Sequence, residues 1–158
     1  MLGLHTGGRD KLVEGAVGAL DRLLADVAHG RFERALSGIT AVSALVTGAE
    51  IFLEHDRASF GNRMMWVPVV LTPFVAGAGV GGVFSKSLAK TILPAVSLLA
   101  LANGLQGTYL HVRGIAQRPG GWRYARYNAE MGPPLFAPLL FSMVGGMGLL
   151  AAVLRRED

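Results

Sequence analysis

Three carboxylates and a histidine crowd into one stretch, AEIFLEHDRASFGNR at residues 49–63: Glu50, Glu54, Asp56 and His55. They follow an apolar run, so they fall where a helix would be leaving a hydrocarbon layer. Ionisable groups are costly there unless they are used. A carboxylate at the depth of Glu50, one turn inside, must be protonated, paired or bound to a cation. A second polar set lies further along the chain. Asn103, Gly107 and His111 are four apart and Gln106 is three from Asn103, so Asn103 and His111 project to one side of a helix with a gap at Gly107 between them.

Three kinds of chemistry fit these residues. Two histidines on different helices at matched depth, His55 and His111, are what axial haem ligation in a helical bundle needs. One of them beside Glu50, Asn103 and Gln106 would instead border a quinone pocket. Glu50, Glu54, His55 and His111, joined by Glu130, also form an oxygen and nitrogen donor set suited to a non-haem metal or a proton site. That set lacks the Glu-x-x-His spacing of di-iron bundles. The third reading is purely structural, with Glu50 paired to an arginine of a later loop and no cofactor bound.

Other chemistries are excluded or disfavoured. There is no cysteine, which removes disulfides, thiolate metal sites, iron–sulfur clusters and cysteine nucleophiles. The GAGVGGV run at Gly77–Val83 lacks the Lys-Ser/Thr ending of a phosphate loop, so close helix packing explains it better. Ser59 and Ser142 have no base at a defined spacing, and no nucleophile elbow occurs. A non-catalytic subunit is therefore expected. Transport would require oligomerisation, and no internal repeat supports it.

The elements that position these residues are read from the missing charge. The chain of 158 residues is 51% hydrophobic and only 16% charged, against about 25% charged in soluble domains. Met64–Ser85, Thr91–Val112 and Met131–Leu154 contain no Asp, Glu, Lys or Arg. Each reaches the roughly 20 residues a helix needs to cross hydrocarbon. Ala35–Ala49 becomes long enough if Glu50 sits in its last turn. The expectation is an all-α integral membrane bundle of four transmembrane helices at about 35–54, 64–83, 91–111 and 134–154, forming one unit at 35–158. Residues 1–34 form an amphipathic N-terminal helix and its lead-in. In that helix Leu12, Ala16, Leu20, Leu23, Leu24 and Val27 recur at three- and four-residue spacing, as in a helix lying in the membrane interface or docked on the bundle or a partner. Residues 9–34 alternate charges with apolar positions and do not form the core of a signal peptide, so the first span is expected to act as its own insertion signal.

The longest loop, His111 to Pro133, interleaves Arg113, Arg118, Arg123 and Arg126 with Trp122, Tyr124 and Tyr127, a composition suited to docking a partner. Four spans running up, down, up and down put this loop on the same side as residues 54–63, and so His55 near the depth of His111. That side holds six basic residues and the other nine, which places both termini in the cytoplasm and the polar site outside. The net charge of +4 thus reads as juxtamembrane, with no nucleic acid implied. The sequence predicts a multi-pass protein of the cytoplasmic membrane that anchors or scaffolds a larger complex, redox in character, with haem b, quinone or no cofactor. Its partners would be the lipid bilayer and other subunits or further copies of the chain.

Overall fold

The computed structural model describes residues 7–155, and their regular structure is entirely helical. The helices are α1 (Gly7–Ala28), α2 (Arg31–Arg57), α3 (Trp66–Phe84), α4 (Lys86–Lys90), α5 (Ile92–Ala116), α6 (Ala125–Glu130) and α7 (Ala137–Leu154). Short 3₁₀ turns at Arg63–Met65 and Gly121–Tyr124 lead into α3 and α6. The glycine-rich lead-in and the end of the charged tail lie outside the described residues. Four helical segments are long and apolar enough to cross a membrane: Arg31–Arg57, Arg63–Phe84, Lys86–Ala116 and Ala137–Leu154.

The boundaries follow local chemistry. Gly30 ends α1 in the left-handed region at φ 68°, where a side chain would be strained, and α2 begins at the next residue. The α2 helix then runs past its apolar part through Glu54 to Arg57, because backbone hydrogen bonding continues where hydropathy ends. Asn62 accepts from the Met64 amide at 2.9 Å ahead of α3, and Ser85 accepts from the Leu88 amide at 3.3 Å to start α4. Pro73 lies inside α3, whereas Pro138 occupies the first turn of α7, where no backbone donor is lost.

The four long helices pack antiparallel with their neighbours. The α2 helix lies against α3 and α7, α5 lies against α7 and α3, and α2 and α5 stand on the diagonal. Glycines set these contacts. A Cβ on Gly79 would overlap Ser37 and Ala41 of α2, and one on Gly145 would overlap the backbone at Ser97 and Leu101 of α5. One on Gly104 would overlap Pro138 and Ser142 of α7. Backbones therefore approach more closely than larger residues would allow, which is how apolar helices gain dispersion contacts when every face is greasy. The core between them is Ala44, Val75, Ala76, Ala100, Phe141 and Val144.

Three buried hydroxyls stay within their own helices, while Ser142 of α7 donates to the Leu101 carbonyl of α5 at 3.3 Å. Ser37 donates to the Glu33 carbonyl, Thr40 to Leu36 and Thr72 to Pro68, each at 2.8 Å. Large apolar side chains, Val42, Val46, Phe74, Leu98, Leu105 and Met143 among them, point outward. Such a surface needs an apolar surround.

Candidate functional site

The inward line of α2 is Glu33, Ser37, Thr40, Ala44 and Gly48, and its three- and four-residue spacing continues through the half-buried Ile51 and His55. Thr40 belongs to it, while Ser43 and Thr47 are half-buried at its edge. Glu50 is exposed, rotated from the line by more than about a third of a turn at 3.6 residues per turn. Glu54 is half-buried and pairs with Arg57 of its own helix. Glu50 thus stands apart from the histidine, while Glu54 stays within electrostatic reach of it.

His55 is held by a turn the sequence did not announce. Ser59 and Phe60 both adopt positive φ, 54° and 46°, and two consecutive non-glycine residues there store strain. That turn folds Phe60 back onto Trp66, with ring centroids 4.0 Å apart in a stack, and against Phe52 at 5.7 Å. The His55 ring meets the edge of Phe60 at 6.1 Å, and it lies beside the Met65 backbone within electrostatic reach of His111 and Glu54. Its Nδ1 is buried without a hydrogen-bond partner among the described residues. His111, near the end of α5, contacts the Pro134 carbonyl through Nδ1 at 2.7 Å. A carbonyl only accepts, so Nδ1 carries a proton and donates, an arrangement that fixes the orientation of the ring.

Asn103 and Gln106 sit elsewhere, in a groove of about 820 Å³ between α3 and α5. Its walls are Trp66, Val67, Val70, Leu71, Phe74, Leu99 and Ala102, with the two amides as its polar groups. Trp66 joins the two places: its ring lines the groove and is stacked on Phe60, which in turn touches His55. Among the described residues no three His, Asp or Glu converge in a group that could hold a metal ion.

The long loop is a compact cap. Buried Asn128 donates through Nδ2 to the Gly121 and Pro119 carbonyls at 2.8 and 3.2 Å, and its Oδ1 accepts from Arg118 at 3.4 Å. Arg118 is thereby built into the loop, while Arg113, Trp122, Arg123, Tyr124, Arg126 and Tyr127 are exposed. Arg126 pairs with Glu130 at 2.9 Å.

At the other end of the bundle lies a group that sequence reasoning passed over. Glu33 is fully buried, and neither carboxylate oxygen has a hydrogen-bond partner among the described residues. Arg155 is also buried there and donates to the Gly82 carbonyl at 2.6 Å, while Lys90 caps the end of α7 through the Ala152 carbonyl at 2.8 Å. The signal for Glu33 was its place on the line of Ser37, Thr40, Ala44 and Gly48. Comparison with protein-family models, curated proteins and solved structures returned no match.

Proposed function

We propose that this protein is a multi-pass subunit of the cytoplasmic membrane that holds a quinone-type ligand in the α3–α5 groove and docks a partner subunit through the 113–130 loop. The observation that carries the reading is the groove itself, an apolar trough whose polar groups are Asn103 and Gln106. A quinone is a planar apolar ring with two carbonyl acceptors and a lipid-soluble tail. Amide N–H groups can donate to those carbonyls, aliphatic walls accept the ring and tail, and Trp66 offers a face for stacking. His55 stands beyond Trp66 and Phe60, whose rings are stacked, and so borders the same end of the groove. The arginines and aromatic rings of the loop supply an exposed docking surface at the same end. The balance of basic residues, six at this end against nine at the other, supports cytoplasmic termini.

A haem held between His55 and His111 is the second reading, supported by their electrostatic proximity and by the carbonyl that orients His111. One preparation tests both. The chain has two tryptophans, so Trp122→Phe leaves Trp66 as the sole indole reporter. In nanodiscs, a short-chain benzoquinone should quench Trp66 saturably. Asn103→Ala with Gln106→Ala should weaken that binding about tenfold or more, since each neutral hydrogen bond contributes about 1 kcal/mol. Linear, unsaturable quenching unchanged in the double variant would remove the quinone reading. A haem Soret band lost in His111→Ala would establish the other.

A further inference from the structure

The α1 helix stands outside the bundle. Its described side chains are exposed from Lys11 to Ala25, with Leu12 at 75% and Leu24 at 59%, and its described packing is against α2. Val13, Val17, Leu20 and Leu24, at spacings of four, three and four, form one stripe, while Lys11 and Arg22 take the opposite face and Glu14 and Asp21 flank the stripe. Gly15 and Gly18 also fall on the polar face, with nothing near them. A helix with two glycines in its interior and an uncovered apolar stripe is marginal in water, because amphipathic helices are stabilised mainly by what covers that stripe.

We propose that α1 lies in the plane of a lipid surface, with Val13, Val17, Leu20 and Leu24 in the acyl boundary and Lys11, Glu14, Asp21 and Arg22 in water. The proposal rests on the reading that α2 crosses the membrane. Three observations select lipid over a protein partner. First, α1 is joined to α2 through His29 and Gly30 alone, so the bilayer surface is within its reach at very high effective concentration. Second, the corner is built to turn: Gly30 has φ 68°, His29 Nδ1 contacts the Ala25 carbonyl at 2.6 Å, and Asp26 pairs with Arg31 across the bend at 2.9 Å. Third, the stripe holds no Trp, Tyr or Arg, the usual anchors of protein interfaces, and the glycines that would allow close helix packing point away from it. Charges outside the stripe are mixed, so the attraction is apolar and does not require anionic lipid.

The chain has no cysteine, so single labels are simple to place. An NBD label would be attached to Leu20→Cys, Leu24→Cys, Arg22→Cys and, as a control on the outer face of α5, Leu98→Cys, in phosphatidylcholine vesicles containing doxyl lipid. The labels at 20, 24 and 98 should be quenched by the doxyl chains and the label at 22 should not. Adding phosphatidylglycerol or salt should change none of this. Quenching at 98 but not at 20 or 24 would overturn the proposal and leave the spans standing. No quenching at 98 would overturn the spans and the proposal with them. Labels at 20 and 24 that are shielded from water yet escape doxyl quenching would show a protein covering the stripe, which also overturns it.

Discussion

Asn128 carries the long loop because one amide satisfies three partners. It binds the Pro119 and Gly121 carbonyls and Arg118 in a place closed to water. Asn128→Ala should therefore cost about 1–3 kcal/mol, the penalty of leaving buried polar groups unpaired, and limited trypsin digestion should cut faster at Arg118, Arg123 and Arg126. Arg126→Ala should leave the same digestion near normal elsewhere, because its pair with Glu130 is exposed and adds little. Glu50 teaches a different point about single residues. Its depth, one turn inside the apolar run, was visible in the sequence, but depth does not say which side of the helix the bundle covers. The covered side was chosen by small residues, Ala44 and Gly48, and it carries His55 inward and leaves Glu50 outside.

At the scale of the helices, the closest contacts depend on glycine. Gly145 has the backbone of Ser97 and Leu101 in the place of its missing Cβ, whereas the neighbouring Gly146 faces open space. Gly145→Ala should destabilise the α5–α7 contact by about 1–3 kcal/mol through overpacking. Gly146→Ala should be neutral or stabilising by up to about 1 kcal/mol from helix propensity alone. Thermal unfolding in detergent distinguishes the two, and equal effects would mean that the helices are not in this register. The α3–α5 pair shows the converse: Val67, Val70, Phe74 and Leu99 splay around a gap, and the groove opens at that contact.

For the whole molecule, four antiparallel segments put the 113–130 loop at one end and Ser85–Lys90 at the other. With both termini cytoplasmic, a cysteine at Gly120 should react with an impermeant thiol reagent added to intact cells, and one at Lys86 should not. The reverse order would invert the topology and move the histidine end to the cytoplasm, while equal labelling would contradict the crossing itself. Gly120 suits the probe only as an exposed site: its φ of 77° makes some local strain there unavoidable.

The sequence alone determined the number, approximate extent and apolar character of the long helices, because a charge-free run is a local property and the hydrogen bonds of a helix close within the run. It also marked the arginine and aromatic loop, whose arginine and aromatic side chains are exposed apart from Arg118, since turn residues and interleaved charge act locally too. Tertiary structure decided everything that depends on which face meets which neighbour. It separated Asn103 and Gln106 from the histidines and bent Ser59 and Phe60 into a strained turn that stacks a ring on Trp66. It also buried Glu33, which the sequence did not single out. The reason is rotational. A helix apolar on most faces can turn about its axis at little cost in hydropathy, so its orientation is set by where glycines admit a neighbouring backbone, and that is a property of pairs of helices.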